Sequence, residues 1–390
     1  MAIDDRDRPP FRADHVGSLL RPQRLLDARE RYAKGAIDAS VLVNVSDRDG
    51  TGDEAAALRE IENECIAEAV RLQQDVGLKG ITDGEFRRSF FHVDFLQRIE
   101  GVDFSGGIPA SFRSKTGTID FAPPKLSVTG KVKRAREINV EDFKFLNSRV
   151  SQTAKICIPS PTMAHFRGGR GAIDEIAYPD MDEFFDDLAR VYREEIADLA
   201  ANGCTYLQLD DTNLAYLSDP KLREGARAIG EDPDQLPHLY ARLINACIDD
   251  RPANMSVSIH LCRGNFKSAW VAEGGYEPVA EALFNEINVD GYFLEYDDPR
   301  SGDFAPLRFV PDDKIIVLGL LTTKDAALEP KDDIKRRIDE AAVHVPLERL
   351  CLSPQCGFSS TVHGNEITLD DQIAKLRHVV DIAEDVWGTA

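Results

Sequence analysis

Apolar positions along this chain fall into two alternating patterns. Short aliphatic or β-branched runs read as strands at Ala13–Leu19, Lys79–Thr82, Lys155–Ile158, Thr205–Leu209, Ser256–Leu261, Tyr292–Tyr296, Ile315–Leu320 and Arg349–Leu352. Between them lie amphipathic stretches that read as helices over Asp53–Val76, Met181–Ala201, Lys221–Asp249, Tyr276–Ile287, Asp332–Val343 and Leu369–Val386. In the first of these, Leu58, Ile61, Cys65, Ile66, Ala69, Val70 and Leu72 recur every ~3.6 residues, with Glu and Arg between them. Cys65 lies on that apolar stripe and reads as core.

Strands alternating with helices make βαβ units and a parallel sheet. Eight strand candidates favour a (β/α)8 barrel, the TIM-barrel architecture, over a doubly wound sheet. No Gly-x-Gly-x-x-Gly follows the first strand, where Val16-Gly17-Ser18-Leu19-Leu20 has a single glycine. Residues 101–133 break the rhythm with Gly106-Gly107, Pro109, Pro123-Pro124 and short alternating runs. They read as a β-hairpin inserted after the second strand, and Arg134–Val150 then resumes a helical pattern. Residues 1–390 are therefore expected to form one α/β barrel domain carrying that insertion.

Composition narrows the partners. With 68 Asp+Glu against 47 Lys+Arg, the formal net charge of −21 repels phosphates. Neither nucleic acid nor a membrane surface is an expected partner. A hydrophobic content of 43% supports a full core, and no apolar run approaches the ~18 residues of a membrane span. Residues 1–11 lack the apolar centre of a signal peptide. A soluble, cytoplasmic protein is expected, with homo-oligomerisation left open. Seven cysteines, odd in number and widely spaced, argue against a disulfide framework. Cys157, Cys204, Cys247 and Cys351 sit in apolar patterns and read as core.

Polar residues gather where the strands end: Ser18, Asp83-Gly84-Glu85, Asp210-Asp211, His260 with Cys262, Glu295 with Asp297, Lys324, and Gln355-Cys356-Gly357. In a barrel these carboxyl ends open onto one face, where active sites of this fold lie. Residues i and i+2 of a strand point the same way, so His260 and Cys262 can reach one ion. Glu295 and Cys356 would complete a set of N, O and two S donors that selects zinc over magnesium or calcium. From spacing alone the alternative stays open: a core histidine with cysteines serving as small hydrophobes. The formal charge of such a centre, −1, suits holding a thiol as its thiolate better than activating water.

These residues resemble the cobalamin-independent methionine synthase superfamily, in particular its zinc-bearing catalytic barrel, over essentially the whole chain. His260-x-Cys262, Glu295 and Pro354-x-Cys356-Gly357 stand in the order of that family's zinc ligands. The resemblance implies a cytoplasmic zinc-dependent methyltransferase, with Zn2+ held by His260, Cys262, Glu295 and Cys356. It further implies homocysteine bound by Ser18, Glu85 and Asp210, and a methyl donor that is a folate, a methylcorrinoid or another activated methyl compound. Lys324 and Asp211 are the candidate catalytic residues, with Asp297 beside them. The plainer alternative for Glu85 is an ion pair with Arg87 or Arg88 at the barrel mouth.

Three departures mark the donor side. These 390 residues are expected to leave no room for the second, N-terminal barrel of full-length enzymes. Thr322-Thr323-Lys324 stands where the family has Asp-x-His, and a lysine of ordinary pKa, ~10.4, is a poor acid near neutrality. The tryptophan expected under a folate ring has no evident counterpart in Ser160–Arg167, where His165 or Phe166 offers a flat surface. Two other readings follow: a zinc-dependent alkyltransferase to another thiol, as in the epoxyalkane–coenzyme M transferases, and a non-catalytic zinc or thiol binder. A barrel resembling the uroporphyrinogen decarboxylases, which needs no zinc, is more distant.

Overall fold

The computed structural model describes residues 8–32, 52–107, 110–115 and 117–390. In chain order the strands are β1 (Gly80–Ile81), β2 (Glu100–Ser105), β3 (Ala110–Ser114), β4 (Gly117–Phe121), β5 (Lys125–Lys133) and β6 (Thr153–Pro159). There follow β7 (Tyr206–Asp211), β8 (Ser256–Leu261), β9 (Gly291–Glu295), β10 (Ile315–Leu321) and β11 (Leu350–Pro354). One parallel sheet, curled as a half-barrel, has the order β1-β6-β7-β8-β9-β10-β11. Every residue of β7, β9, β10 and β11 is buried, as expected of parallel strands covered on both faces.

The period of two divides these strands between two cores. Leu207, Leu209, Tyr292, Leu294, Ile316 and Leu318 join the large cluster shared with the helices. Their neighbours Tyr206, Phe293, Val317 and Cys351 pack instead with Phe11 and Val16. Gln208 and Asp210 share a face with Tyr206, and Glu295 shares one with Phe293. The same alternation that packs the interior therefore aims the polar strand ends inward.

The first expected strand, Ala13–Leu19, does not form a ladder. It makes one bridge, Ala13 with Leu352 of β11, and single backbone bonds at Ser18 and Leu19; side chains hold the stretch between. His15 Nε2 lies 3.1 Å from the Gly80 carbonyl, while Lys155 Nζ reaches the His15 carbonyl at 2.6 Å and Asp14 Oδ1 at 3.0 Å. Lys155 and Asp14 are both fully buried, and Tyr206 donates to Asp14 Oδ2 at 2.7 Å. A polar tie thus stands beside β1 and β6 where a backbone ladder was expected.

The helices Asp53–Val76 and Met181–Ala201 have the bounds their periodicity gives. The first stops at Gly77, whose φ of 97° closes it in the left-handed region. The expected helix Lys221–Asp249 is two, Pro220–Ala228 and Leu236–Ile248. Gly230 at φ 88° ends the first, and Asp232 turns the chain by accepting from Asp234 N. In residues 134–150 the helix is confined to Val140–Asn147.

Residues 100–133 form two antiparallel pairs rather than one hairpin: β2 with β5, and β3 with β4 lying between them in sequence. Arg113 of β3 exchanges backbone hydrogen bonds with Trp270, which follows β8. Phe121 stacks on Phe266 with ring centroids 4.3 Å apart. The inner pair is thereby laid against the loop that leaves β8.

Candidate active site and metal centre

His260 is the penultimate residue of β8, Cys262 follows directly after that strand, and Cys356 lies two residues past β11. Their donor atoms all lie within 4.8 Å of one another. The Cys262 and Cys356 sulfurs are 3.3 Å apart and not joined in a disulfide. Both nitrogens of the buried His260 ring lack a hydrogen-bond partner, a costly state for polar atoms in a protein interior. Two thiols and an orphaned imidazole at this spacing fit a soft or borderline ion such as zinc.

The electrostatics point the same way. The Cys262 S–H and the adjacent His260 hold the Cys356 thiol well below its ordinary range, against the effect of burial. The bond to Cys356, together with burial, pushes Cys262 well above it. Burial pushes the His260 imidazolium down, but the Cys356 thiolate, Asp210 and Glu295 outweigh it. Of the two thiols, Cys356 is thus the one whose charged form its surroundings favour.

Glu295, the last residue of β9, is fully buried but stands outside this donor group. Its Oε1 faces Arg300 and Lys324 Nζ, the latter at 3.3 Å, and its Oε2 accepts the Arg263 N–H at 2.9 Å. Burial pushes its carboxyl up, yet Lys324, Arg300 and Arg263 prevail and hold it at about 2. Lys324 Nζ also lies 3.5 Å from Asp297 Oδ2. Burial alone would lower its pKa, but Asp297 and Glu295 raise it, so Lys324 stays an ammonium.

A second cluster sits deeper. Glu85, Cys157 and Asp210 place donor atoms within 4.8 Å of one another. Glu85 adopts φ 59°, a strained conformation for a residue with a side chain. It is fixed there by Asp83 Oδ1, which accepts its N–H at 2.8 Å, and by Arg21, which donates to its carbonyl at 2.8 Å. Burial pushes Glu85 up to about 8; Arg88, 3.5 Å away, opposes this and Asp210 adds to it. Burial also raises Asp210, which accepts from Gln208 Nε2 at 2.7 Å. Gly17, at φ 139°, makes the fit possible: a Cβ there would stand 2.7 Å from Cys157 Sγ and 3.0 Å from Glu85 Oε1.

Ser18, Glu85, Asp210, Asp211, His260, Cys262 and Cys356 line one cleft of about 680 Å³. Asp211 is spent within the protein, accepting from Thr162 Oγ1 and, at 2.8 Å, from the N–H of Leu214 in the short helix Asn213–Tyr216. Lys324 opens onto a neighbouring cavity of about 1010 Å³ with Asp297, Arg300 and Trp270. Arg87 is held by Glu62 and Asp142, so only Arg88 pairs with Glu85. His165 and Phe166 do not line the cleft: His165 contacts Tyr240 and Glu231, and Phe166 packs on Tyr216 and Tyr240.

Sequence reasoning missed the outer wall. Phe90, Phe112, Phe121 and Phe266 make it apolar, and Arg167 adds its polar edge. Arg167 has no hydrogen-bond or ion-pair partner among the described residues. The alternation around Phe112 and Phe121 was the available signal for the wall; nothing local marked Arg167.

The family described as "Cobalamin-independent synthase, Catalytic domain" matches residues 42–385. The chain belongs to that family. Among its relatives, YxjH of Bacillus subtilis (strain 168), itself uncharacterized, is 46% identical over 382 residues, covering 97% of this chain and 96% of its own. A solved structure from Listeria monocytogenes, provisionally assigned as a vitamin-B12-independent methionine synthase, is 37% identical with a TM-score of 0.72. That match covers 98% of this chain and 99% of the other. A B12-independent methionine synthase from Shewanella sp. W3-18-1, solved with selenomethionine, shares the fold at 19% identity and TM-score 0.69, covering 96% and 97%. Among the described residues, no helix is long and apolar enough to cross a membrane.

Proposed function

We propose that this protein is a zinc-dependent S-methyltransferase that methylates homocysteine to methionine. The observation that carries this reading is the sharing of one cleft by a thiol-rich donor set, His260, Cys262 and Cys356, and two buried carboxylates, Glu85 and Asp210. An ion held by two thiolates and an imidazole would keep an incoming thiol as its nucleophilic thiolate at neutral pH. The carboxylates favour a cation at the other end of the same small molecule, an α-ammonium group. Thiol at one end and ammonium at the other describe an amino-acid thiol. The Shewanella neighbour's selenomethionine is a fold-level parallel.

Within the chain, Glu85 gives up its proton as the ammonium arrives, and Asp210, steadied by Gln208, takes a second N–H. Ser18 orients the carboxyl end. The phenyl wall excludes water from the reacting carbon. As the sulfur–methyl bond forms, the bond from methyl to donor breaks and the donor keeps its electron pair. That donor is a folate, a methylcorrinoid or another activated methyl compound, and Arg167 is placed to hold an anionic part of it. Lys324 keeps its proton and supports Glu295, while Asp211 steadies the helix that follows β7.

Cobalt(II) in place of zinc tests this reading. A thiolate-to-cobalt charge-transfer band that rises with L-homocysteine and not with coenzyme M supports it. The reverse supports the second reading, alkyl transfer to a sulfonate thiol, which only the unpaired Arg167 favours. No response to either thiol overturns both.

A further inference from the structure

We infer that the methyl donor is a small zwitterion: an onium centre, sulfonium or quaternary ammonium, carries the methyl group against the phenyl wall, and a carboxylate a few atoms away meets Arg167. The inference rests on the methyltransferase reading above and narrows its donor.

The wall is a set of rings in mutual contact. Phe121 stacks on Phe266 with centroids 4.3 Å apart, Phe112 meets Phe266 at 5.2 Å, and Phe90 meets Phe121 at 6.2 Å. All four line the cleft, as does Tyr216. Rings gathered in this way attract a cation through their quadrupoles, and quaternary ammonium groups are recognised by such aromatic cages. Arg167 stands in the same cleft with no hydrogen-bond or ion-pair partner among the described residues. An onium on the rings and a carboxylate on the guanidinium satisfy both features with one small molecule. A pterin fits less well, because its paired N–H groups call for a carboxylate. Of those that line the cleft, Glu85 and Asp210 are proposed to meet the ammonium, and Asp211 is held by Thr162 and Leu214.

Proton supply favours the same donor. Lys324, where the family resemblance expects an acid, is bound to Glu295 and Asp297 and lines the neighbouring cavity instead of this cleft. Burial, with Arg167 adding to it, holds His92 well below its ordinary range, and burial pushes Tyr216 up to about 12. Neither is an acid suited to neutral pH. Glu85, on the reading above, has already released its proton to admit the ammonium. An onium needs no proton to leave. The amino acid's thiolate sulfur attacks the methyl carbon in line, and a new S–C bond forms as the C–N or C–S bond breaks. The leaving nitrogen or sulfur keeps the electron pair and departs as a neutral amine or sulfide. One negative and one positive charge cancel, and no proton moves.

The test uses the zinc-loaded full chain and two matched pairs: glycine betaine against tert-butylacetic acid, and dimethylsulfonioacetate against isovaleric acid. Each acid has carbon in place of the onium atom, so shape is kept and charge removed. At least one onium compound is expected to yield methionine from homocysteine, and its neutral partner to inhibit with a Ki about tenfold above the onium compound's KM. The pair that responds tells ammonium from sulfonium. Phe121→Leu, which keeps an apolar surface but removes a ring, is expected to raise that KM about fivefold, and Phe121→Tyr to restore it. A neutral acid that binds as tightly as its onium partner, or an unchanged KM in Phe121→Leu, overturns the inference. Methionine from neither onium compound overturns it as well. If methionine then forms from methyltetrahydrofolate or methylcobalamin, the proposed function stands without it. A cobalt(II) protein whose spectrum does not respond to homocysteine overturns both.

Discussion

A Cβ built on Gly357 would stand 1.9 Å from Ser18 Oγ. The residue after Cys356 thus touches Ser18, the serine proposed to meet the amino acid, and Ser18 Oγ also accepts the Ser359 N–H at 3.2 Å. The proposed metal ligand and the proposed substrate-binding serine are thus joined through one contact. Gly357→Ala must displace one of them, so it is expected to destabilise the protein by about 1–3 kcal/mol, the usual cost of overpacking. Cobalt(II) uptake and homocysteine affinity are expected to fall together. Urea unfolding and a cobalt titration check this; normal values in both would show that the loop relaxes freely.

Protons are expected to leave when the amino acid binds. Glu85, pushed up to about 8, is protonated in the empty cleft at pH 7, and an ammonium group beside it favours the charged form. Methionine binding at pH 7 should release close to one proton, read by calorimetry in buffers of different ionisation enthalpy. Glu85→Gln should release none. Equal heats in all buffers for the wild type would contradict the assignment.

The same shift sets a pH dependence of stability. Between the ordinary carboxyl value and about 8, the folded chain holds a proton at Glu85 that the unfolded chain has lost. Unfolding free energy therefore falls as pH rises through that window, by at most ~1.4 kcal/mol per unit from this group. Glu85→Gln should gain on the wild type as pH goes from 5 to about 8. Parallel stability curves would refute this.

Arg167→Met should separate binding from folding. With no partner among the described residues to lose, it is expected to change stability by no more than ~0.5 kcal/mol, the range of an ordinary surface substitution. The KM for an anionic methyl donor should rise, with homocysteine binding unchanged. A large loss of stability would mean that Arg167 is structural.

Chelation of the metal should leave the fold and expose the thiol pair. Far-UV circular dichroism is expected to persist, since the centre lies at strand ends and the core is elsewhere. With the Cys356 thiol held below its ordinary range and 3.3 Å from Cys262, mild oxidation by diamide should join them. Of seven free cysteines, two should become untitratable and metal uptake should be lost, with bound zinc protecting. Unfolding on chelation would mark the centre as structural.

How much of this was legible in the sequence depends on whether the signal was local. Helices Asp53–Val76 and Met181–Ala201 and strand Ser256–Leu261 follow directly from period, because burial selects the same face turn after turn. His260, Cys262 and Cys356 could be paired in advance because parallel strands end on one side. Ala13–Leu19 was misleading: its apolar run suggests a ladder, but Lys155, far along the chain, supplies the bonds instead. The clamp on Glu295 depends on Arg300 turning back five residues later, and no period encodes that. The phenyl wall comes from three separated segments, each unremarkable by itself.

The pair β3–β4 meets the cleft through Phe112 and Phe121 yet belongs to neither the parallel sheet nor its helices. It is in effect a cassette. Its ends are set by β2 and β5, and its inner surface can be rewritten without passing through the strands that hold His260 and Asp210. On the proposed function, a lineage or an engineer could retune which methyl compound is accepted by exchanging this one module while the half proposed to handle the thiol is inherited unchanged.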